Sequence, residues 1–256
     1  MNNVPKNILT ARDDIAHIDE QILTLWSKRI ALVDDIIKEK QTAGIPIDDY
    51  IREAMLWQKW QESISLELKD MPASLFIAQT GSSKLLQRQK QGMPGNVYII
   101  GMPASGKTSI GLNVAKNLHK PFVDIDKAIE ELCGMNIVDI FSLEGENSFR
   151  VKESTTLLSI ALSVNGAIIS CGGGIIVRPI NVSLMHSSGK IIFLLRDFEH
   201  CAAHLRNKNL PLISRPDDWQ KLWQEREQLY RDAAEYIVEG NNAEDQILSI
   251  VKQIWA

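Results

Sequence analysis

The run GMPASGKT, Gly101 to Thr108, fits the spacing GxxxxGK[ST], follows a β-rich stretch and opens a helical pattern. Glycines at these places let backbone N–H groups curl around phosphate oxygens, and the start of the helix adds its dipole. A lysine at position 107 reaches the β and γ phosphates, and a hydroxyl at Thr108 can ligate magnesium. Gly101, Ala104, Ser105, Gly106, Lys107, Thr108 and Ser109 are therefore the candidate ATP contacts. Four further groups follow in order: Asp124 and Asp126 in FVDID, Phe149, Arg150 and Glu153 in SFRVKE, the triplet Gly172 to Gly174, and Arg226 with Tyr230 in EREQLY. Read as the end of a strand, FVDID puts both carboxylates on one face beside the phosphate loop. One can help hold magnesium and the other orient an acceptor hydroxyl. Taken singly, each of these residues has a bland reading as a strand-end cap, a surface ion pair or a turn.

A second set lies far upstream. Positions 15, 18, 22, 25, 29, 32 and 36 step by threes and fours, which traces one stripe of a helix. All are Ile or Leu except Arg29. A guanidinium cannot shed its charge, so burial requires an anion to meet it. Either a structural carboxylate, Glu53 or Asp35, or a ligand is that partner. Arg12 and Lys40 stand at the margins of the stripe. Asp49, Arg52 and Glu53 share a face of the next helix, and Ser83 and Gln87 are four apart on a third. Along a straight helix Arg12 and Arg29 are ~25 Å apart, whereas Arg29 and Lys40 at ~16 Å can converge on one molecule. Arg12 can serve only a partner chain's site.

The elements that must position these residues fall into two textures. Residues 7–41 form one helix of roughly 50 Å. A second helix, with Pro46 in its first turn, runs to about 70, and a third covers 73–89 with Gly81 as its weak point. RQKQGMPG, 88–95, reads as a linker. Beyond it short β-rich runs at 97–101, 122–126, 167–170, 190–195 and 236–240 alternate with helical patterns, which means a parallel sheet wrapped by helices. The domains are expected at 1–90, all-helical, and 91–256, α/β.

Composition bounds the rest. A hydrophobic fraction of 45%, a charged fraction of 23% and a formal net charge of -4 are those of an ordinary soluble protein, with no basic field to gather nucleic acid. Cys133, Cys171 and Cys201 show neither CxxC spacing nor an even count, so a disulfide framework or zinc site is not expected. No basic-then-apolar leader and no apolar run near ~18 residues is present. The reading is a cytoplasmic protein with no membrane partner.

Residues 95–256 closely resemble shikimate kinase, a match resting on the P-loop, DID, FR with its following Glu, GGG and R-x-x-LY in their usual order. The resemblance implies transfer of the ATP γ-phosphoryl to the 3-hydroxyl of shikimate, with Asp126 holding the reacting hydroxyls, Arg150 and Arg226 clamping the carboxylate and Gly173 offering its backbone N–H. That leaves Asp124, with Thr108, for Mg2+. One departure stands out: the lid reads LPLI, with Leu210 where the family usually has an arginine facing ATP, and Lys208, Arg206 or Arg215 are the candidates to compensate.

Residues 7 to about 90 resemble the all-helical chorismate mutases, on Arg12, Arg29, Lys40, Asp49, Arg52, Glu53, Ser83 and Gln87. The resemblance implies a three-helix, intertwined homodimer with two sites, each borrowing Arg12 from the neighbour, and cofactor-free rearrangement of chorismate to prephenate. Arg12 and Arg29 would pair with the carboxylates, Lys40 and Gln87 would donate to the ether oxygen, Glu53 would fix the ring hydroxyl, and Arg52, Asp49 and Ser83 would complete the wall. The expected protein is a bifunctional enzyme of aromatic amino acid biosynthesis. Its rivals are a kinase with a non-catalytic helical dimerisation arm, and a helical domain acting as isochorismate pyruvate-lyase or aminochorismate mutase.

Overall fold

The computed structural model describes residues 6–63, 71–205 and 216–256. The chain divides into two compact units, Met1–Gly92 and Met93–Ala256.

The first unit is three helices, α1 (Lys6–Ala43), α2 (Tyr50–Ser63) and α3 (Met71–Lys90). The last third of α1 packs on α3: Val33 and Ile37 are its buried apolar residues, and Asp34 pairs with Lys90 at 2.6 Å. Trp57 and Trp60 of α2 meet Phe76 of α3 edge-on, with centroids 5.3 and 5.6 Å apart. Two short helices cannot cover a rod of ~57 Å. Ile15, Ile18, Ile22, Leu25 and Leu32 are accordingly each more than half exposed, so most of the apolar stripe faces outward in the protomer instead of lying against its own core.

Two boundaries differ from the sequence reading. α2 starts at Tyr50, after Pro46, because Asp49 caps it: its Oδ1 accepts from Arg52 N at 3.0 Å, the usual way to satisfy an orphan first-turn N–H. The expected C-terminal end of this helix lies outside the described residues. α3 runs unbroken through Gly81 and includes Arg88–Lys90, so the linker shrinks to the turn after it, where Gly92 takes a positive φ of 67°.

The second unit is a five-stranded parallel sheet in the order β2-β3-β1-β4-β5, with β1 Asn96–Ile100, β2 Phe122–Asp124, β3 Ile168–Ser170, β4 Gly189–Leu194 and β5 Tyr236–Val238. Side chains alternate across β1. Val97 and Ile99 join Val114 of α4 (Lys107–Asn117) and Ile247 of α10 (Ala243–Ile254) on one face. Tyr98 and Ile100 join the opposite core, with Ile129 of α5 (Ile125–Cys133), Leu157 of α6 (Ile137–Ser163), Met185 of α7 (Pro179–Ser188), Cys201 of α8 (Phe198–Leu205) and Tyr230 of α9 (Pro216–Ala233). Burial on both faces is why these strands read as continuous apolar runs. From β1 the chain crosses to β2 on one side, whereas from its neighbour β4 it crosses to β5 on the other, which makes the carboxyl ends of β1 and β4 a switch point where α/β sheets bind ligands.

The expected strand through Asp126 is corrected. β2 stops at Asp124, whose Oδ1 accepts from Lys127 N at 3.2 Å and so starts α5. Asp126 therefore projects from the first turn of a helix, not from a strand face shared with Asp124. Within α6 the helical path breaks at Gly145, where φ is 81°, and Arg150 lies just beyond the break. No described helix is long and apolar enough to cross a membrane. The three cysteines are free thiols.

Candidate active sites

In the sheet-containing unit the loop after β1 is built on positive φ angles: 150° at Gly101, 65° at Ala104 and 95° at Gly106. At Gly101 a Cβ would fall 2.6 Å from Leu194 O, so only glycine lets the loop lie this close to β4. Lys107, at the start of α4, is buried and folds back over the loop, donating to Gly101 O at 2.9 Å and Met102 O at 2.7 Å. Thr108 Oγ1 donates to Asp124 Oδ2 at 2.7 Å and lies 3.2 Å from Ser170 Oγ. Ser105 is buried beneath the loop. Ser109 is exposed on α4, and neither it nor Ser105 is among the walls of the adjoining cavity.

That cavity, of about 480 Å³, brings Lys107, Thr108, Asp126, Arg150, Gly172–Gly174 and Arg226 together. Arg150 is held by two carboxylates, Glu153 at 3.0 Å and Glu146 at 2.9 Å. Burial pushes the Asp126 carboxyl up to about 6, helped by the negative charge of Asp124 and opposed by Lys107. Glu153, with no exposed surface, is pushed up to about 7 by burial, with Arg150 pulling the other way. Arg226 and Tyr230, one turn apart on α9, both donate to Gly173 O, at 3.2 and 2.5 Å.

The glycine triplet is packed against three different parts of the site. A Cβ on Gly172 would lie 2.5 Å from Asp126 Oδ1, one on Gly173 2.7 Å from Pro103 Cδ of the phosphate loop, and one on Gly174 2.2 Å from Arg150 Nη1. Glu153 and Glu146 had no role assigned from the sequence. The spacings of three and four from Arg150 are the signal that finds them. Leu210, with Arg206, Lys208 and Arg215, lies outside the described residues.

In the helical unit a small cavity of about 110 Å³ is lined by Arg29, Lys40, Asp49, Arg52, Glu53, Ser83 and Gln87, all seven same-chain candidates. Arg12 is exposed on α1 and is not among its walls. Arg29 Nη1 donates to Ser83 Oγ at 2.6 Å and its guanidinium sits 5.5 Å over Trp26. The carboxylates that could have neutralised it are paired elsewhere: Asp35 with Lys38, Glu53 with Lys84. Burial, then the nearby Arg52 charge, lowers the pKa of Arg29. Lys40 Nζ donates to Pro46 O and Ile47 O, each at 2.9 Å. Gln87 is buried; its Nε2 donates to Ser83 O at 3.3 Å, and its Oε1 has no partner among the described residues. Lys84, absent from the sequence candidates, stands in the wall beside Ser83.

A phosphate-binding loop at the switch point of a parallel sheet, facing a cavity with two arginines and a buried carboxylate, defines a P-loop phosphotransferase for a small anionic acceptor. The chain belongs to the shikimate kinase family: the family model "Shikimate kinase" matches residues 103–255. A shikimate kinase of Pseudomonas paraeruginosa is 38% identical over 148 residues, 56% of this chain and 86% of that protein. One of Francisella tularensis subsp. novicida is 36% identical over 163 residues, 62% of this chain and 92% of that protein. The solved shikimate kinase of Acinetobacter baumannii, in complex with shikimate, superposes with a TM-score of 0.59 at 29% identity, covering 65% of this chain and 95% of that one. The family model "Chorismate mutase type II" matches residues 11–78. The chain thus joins a chorismate mutase region to an ATP-dependent kinase domain, the make-up of a bifunctional enzyme of aromatic amino acid biosynthesis.

Proposed function

We propose that the kinase unit transfers the γ-phosphoryl of ATP to the 3-hydroxyl of shikimate. The observation that carries this is the cavity in which Arg150 and Arg226 face Asp126 and the phosphate loop. Arginine forks suit a small carboxylate, and the buried Asp126 carboxylate aligns the hydroxyl oxygen and accepts its proton as that oxygen bonds to phosphorus and ADP leaves. Lys107 swings from its loop carbonyls to the phosphates. Gly173, its carbonyl tied to Arg226 and Tyr230, is fixed with its N–H available to orient the acceptor. The hydroxyl of Thr108 beside the Asp124 carboxylate is an all-oxygen donor set of the kind Mg2+ takes together with substrate phosphates and water. When bound, the ion supplies neutralisation of the phosphate charge. Measuring ADP release with and without shikimate tests the proposal: release that does not depend on shikimate refutes it.

The helical unit is proposed to rearrange chorismate to prephenate, the ether C–O bond breaking as a C–C bond forms, with no proton or cofactor exchanged. The carrying observation is Arg29, half-buried and near a second cation while the candidate carboxylates are engaged elsewhere. Structural arginines are matched by anions; this one is left for a ligand. Arg29 takes one substrate carboxylate, Lys40 and Gln87 Nε2 donate to the ether oxygen as charge gathers there, and Glu53 accepts from the ring hydroxyl. A single-chain cavity of about 110 Å³ falls below the ~300 Å³ at which ligand pockets begin. A second copy laid along the exposed stripe of α1 would enlarge and close it and bring its own Arg12 to the other carboxylate. Offering chorismate, isochorismate and 4-amino-4-deoxychorismate side by side tests the assignment, and preference for either alternative replaces it. Loss of activity without loss of dimerisation in Arg29→Ala separates a site from a mere dimerisation arm.

A further inference from the structure

Within the helical site a further charged side chain has no part in the reaction as described. Lys84, on α3 next to Ser83, lies in the wall of the cavity, largely buried. Its Nζ stands 2.8 Å from Glu53 Oε1, 3.0 Å from Glu53 Oε2 and 2.9 Å from Asp48 Oδ1. It therefore grips both oxygens of the α2 carboxylate while pinning the loop before α2 to α3. We propose that Lys84 is a positioning residue for the rearrangement, holding the Glu53 carboxylate as a fixed acceptor for the ring hydroxyl. This rests on the mutase reading of the site.

A carboxylate can accept from a hydroxyl through either oxygen only while it is ionised, and it can do so at one place only if its torsions are locked. Charged groups surround Glu53 from three helices and one loop: Arg29 and Lys40 on α1, Asp48 and Asp49 in the loop, Arg52 beside it on α2 and Lys84 on α3. Of these, only Lys84 forms an ion pair with it among the described residues. Burial pulls the Lys84 ammonium down, but its bonds to Glu53 and Asp48 outweigh that and raise it, so the cation persists across the working range.

The test is the kinetics of prephenate formation by the full chain, for the unsubstituted protein and for Lys84→Met, Lys84→Gln and Lys84→Arg, with thermal unfolding of each. Releasing the Glu53 carboxylate misplaces the acceptor in the transition state, so kcat should fall at least about tenfold in Lys84→Met and Lys84→Gln with KM little changed, and Lys84→Arg should restore it. An unchanged kcat, or a loss that tracks lower thermal stability and is not restored by Lys84→Arg, overturns the proposal while leaving the mutase reading intact. Should Lys84→Met not fold, Lys84→Gln, which keeps a donor without the charge, decides alone. No prephenate from the unsubstituted protein overturns both.

Discussion

Substituting Gly174 with alanine is the sharpest test of the kinase site. The backbone there has φ of -104°, which any residue adopts, so the change introduces no backbone strain. What it introduces is one methyl group 2.2, 2.3 and 2.4 Å from Nη1, Nη2 and Cζ of Arg150. The end of an arginine usually swings aside at little cost. This one is tied to Glu153 at 3.0 Å and Glu146 at 2.9 Å, and to reach ordinary contact it must retreat by more than 1 Å. That breaks at least one of its charge-assisted bonds, about 1.5–3 kcal/mol. If Arg150 holds the acceptor's carboxylate, kcat/KM for shikimate falls about 10- to 100-fold, while KM for ATP changes little. The assay is ADP release against shikimate concentration at saturating ATP. An Arg150→Ala background supplies the control, because the three atoms the methyl crowds most are then gone and it should cost little further. Additive losses in the double variant, or an undiminished Gly174→Ala enzyme, would refute the placement of Arg150.

Three other outcomes are expected. Arg29→Leu lowers prephenate formation at least about tenfold yet leaves the thermal midpoint level or higher, since burial and Arg52 both disfavour the charged form; a midpoint several degrees lower would mark a structural arginine. Mixing Arg12→Ala with Arg29→Ala protein, each inactive alone, should recover about a quarter of the unsubstituted mutase activity, because half of randomly mixed dimers keep one intact site of two; no recovery excludes a shared site. For Asp126, raised from 3.8 to about 6, kinase kcat/KM should drop about tenfold per pH unit below that value if the ionised form aligns the hydroxyl. The stability sign follows from the same shift: the raised folded value means its contribution is present in full below 3.8 and lost as pH rises through about 6. Asp126→Asn should thus be more stable than the unsubstituted chain at pH 7 and no more stable near pH 3, measured by urea unfolding.

The parallel sheet and the phosphate loop are legible in the sequence because both are local: β1 is an apolar run from Val97 on since two faces bury it, and the loop's glycines answer to positive φ at Gly101 and Gly106. FVDID misleads for an equally local reason. An aspartate is at once a tolerable strand end and a strong helix cap, and the capping bond to Lys127 N decides in favour of the helix after a strand of three residues. The start of α2 fails in the same way, with Asp49 outweighing Pro46. Lys84 is invisible for a different reason. Its significance lies in the carboxylate it meets across 31 residues, and a lysine on a helix otherwise reads as a solvated face.

The two sites carry opposite imbalances of charge, and the sign of each indicates what it lacks. Around the helical cavity Arg29, Lys40, Arg52 and Lys84 face Asp48, Asp49 and Glu53, but Lys84 is consumed by Glu53 and Asp48, leaving Arg29 and Arg52 to raise each other's cost. Only a guest with more than one negative charge relieves both. In the kinase cavity Lys107, Arg150 and Arg226 meet Asp126, Glu130 and Glu153, with Asp124 bonded to Thr108 and Glu146 paired with Arg150, and burial pushes Asp126 and Glu153 up towards neutrality. A surplus of buried carboxylate next to a phosphate loop suits a guest that brings cations and hydroxyls along with its phosphates. A variant that restores balance without ligand, Arg29→Leu in one unit or Asp126→Asn in the other, should stabilise the fold at neutral pH and lose the chemistry. That pairing of gains and losses is what stored electrostatic cost at a functional site implies.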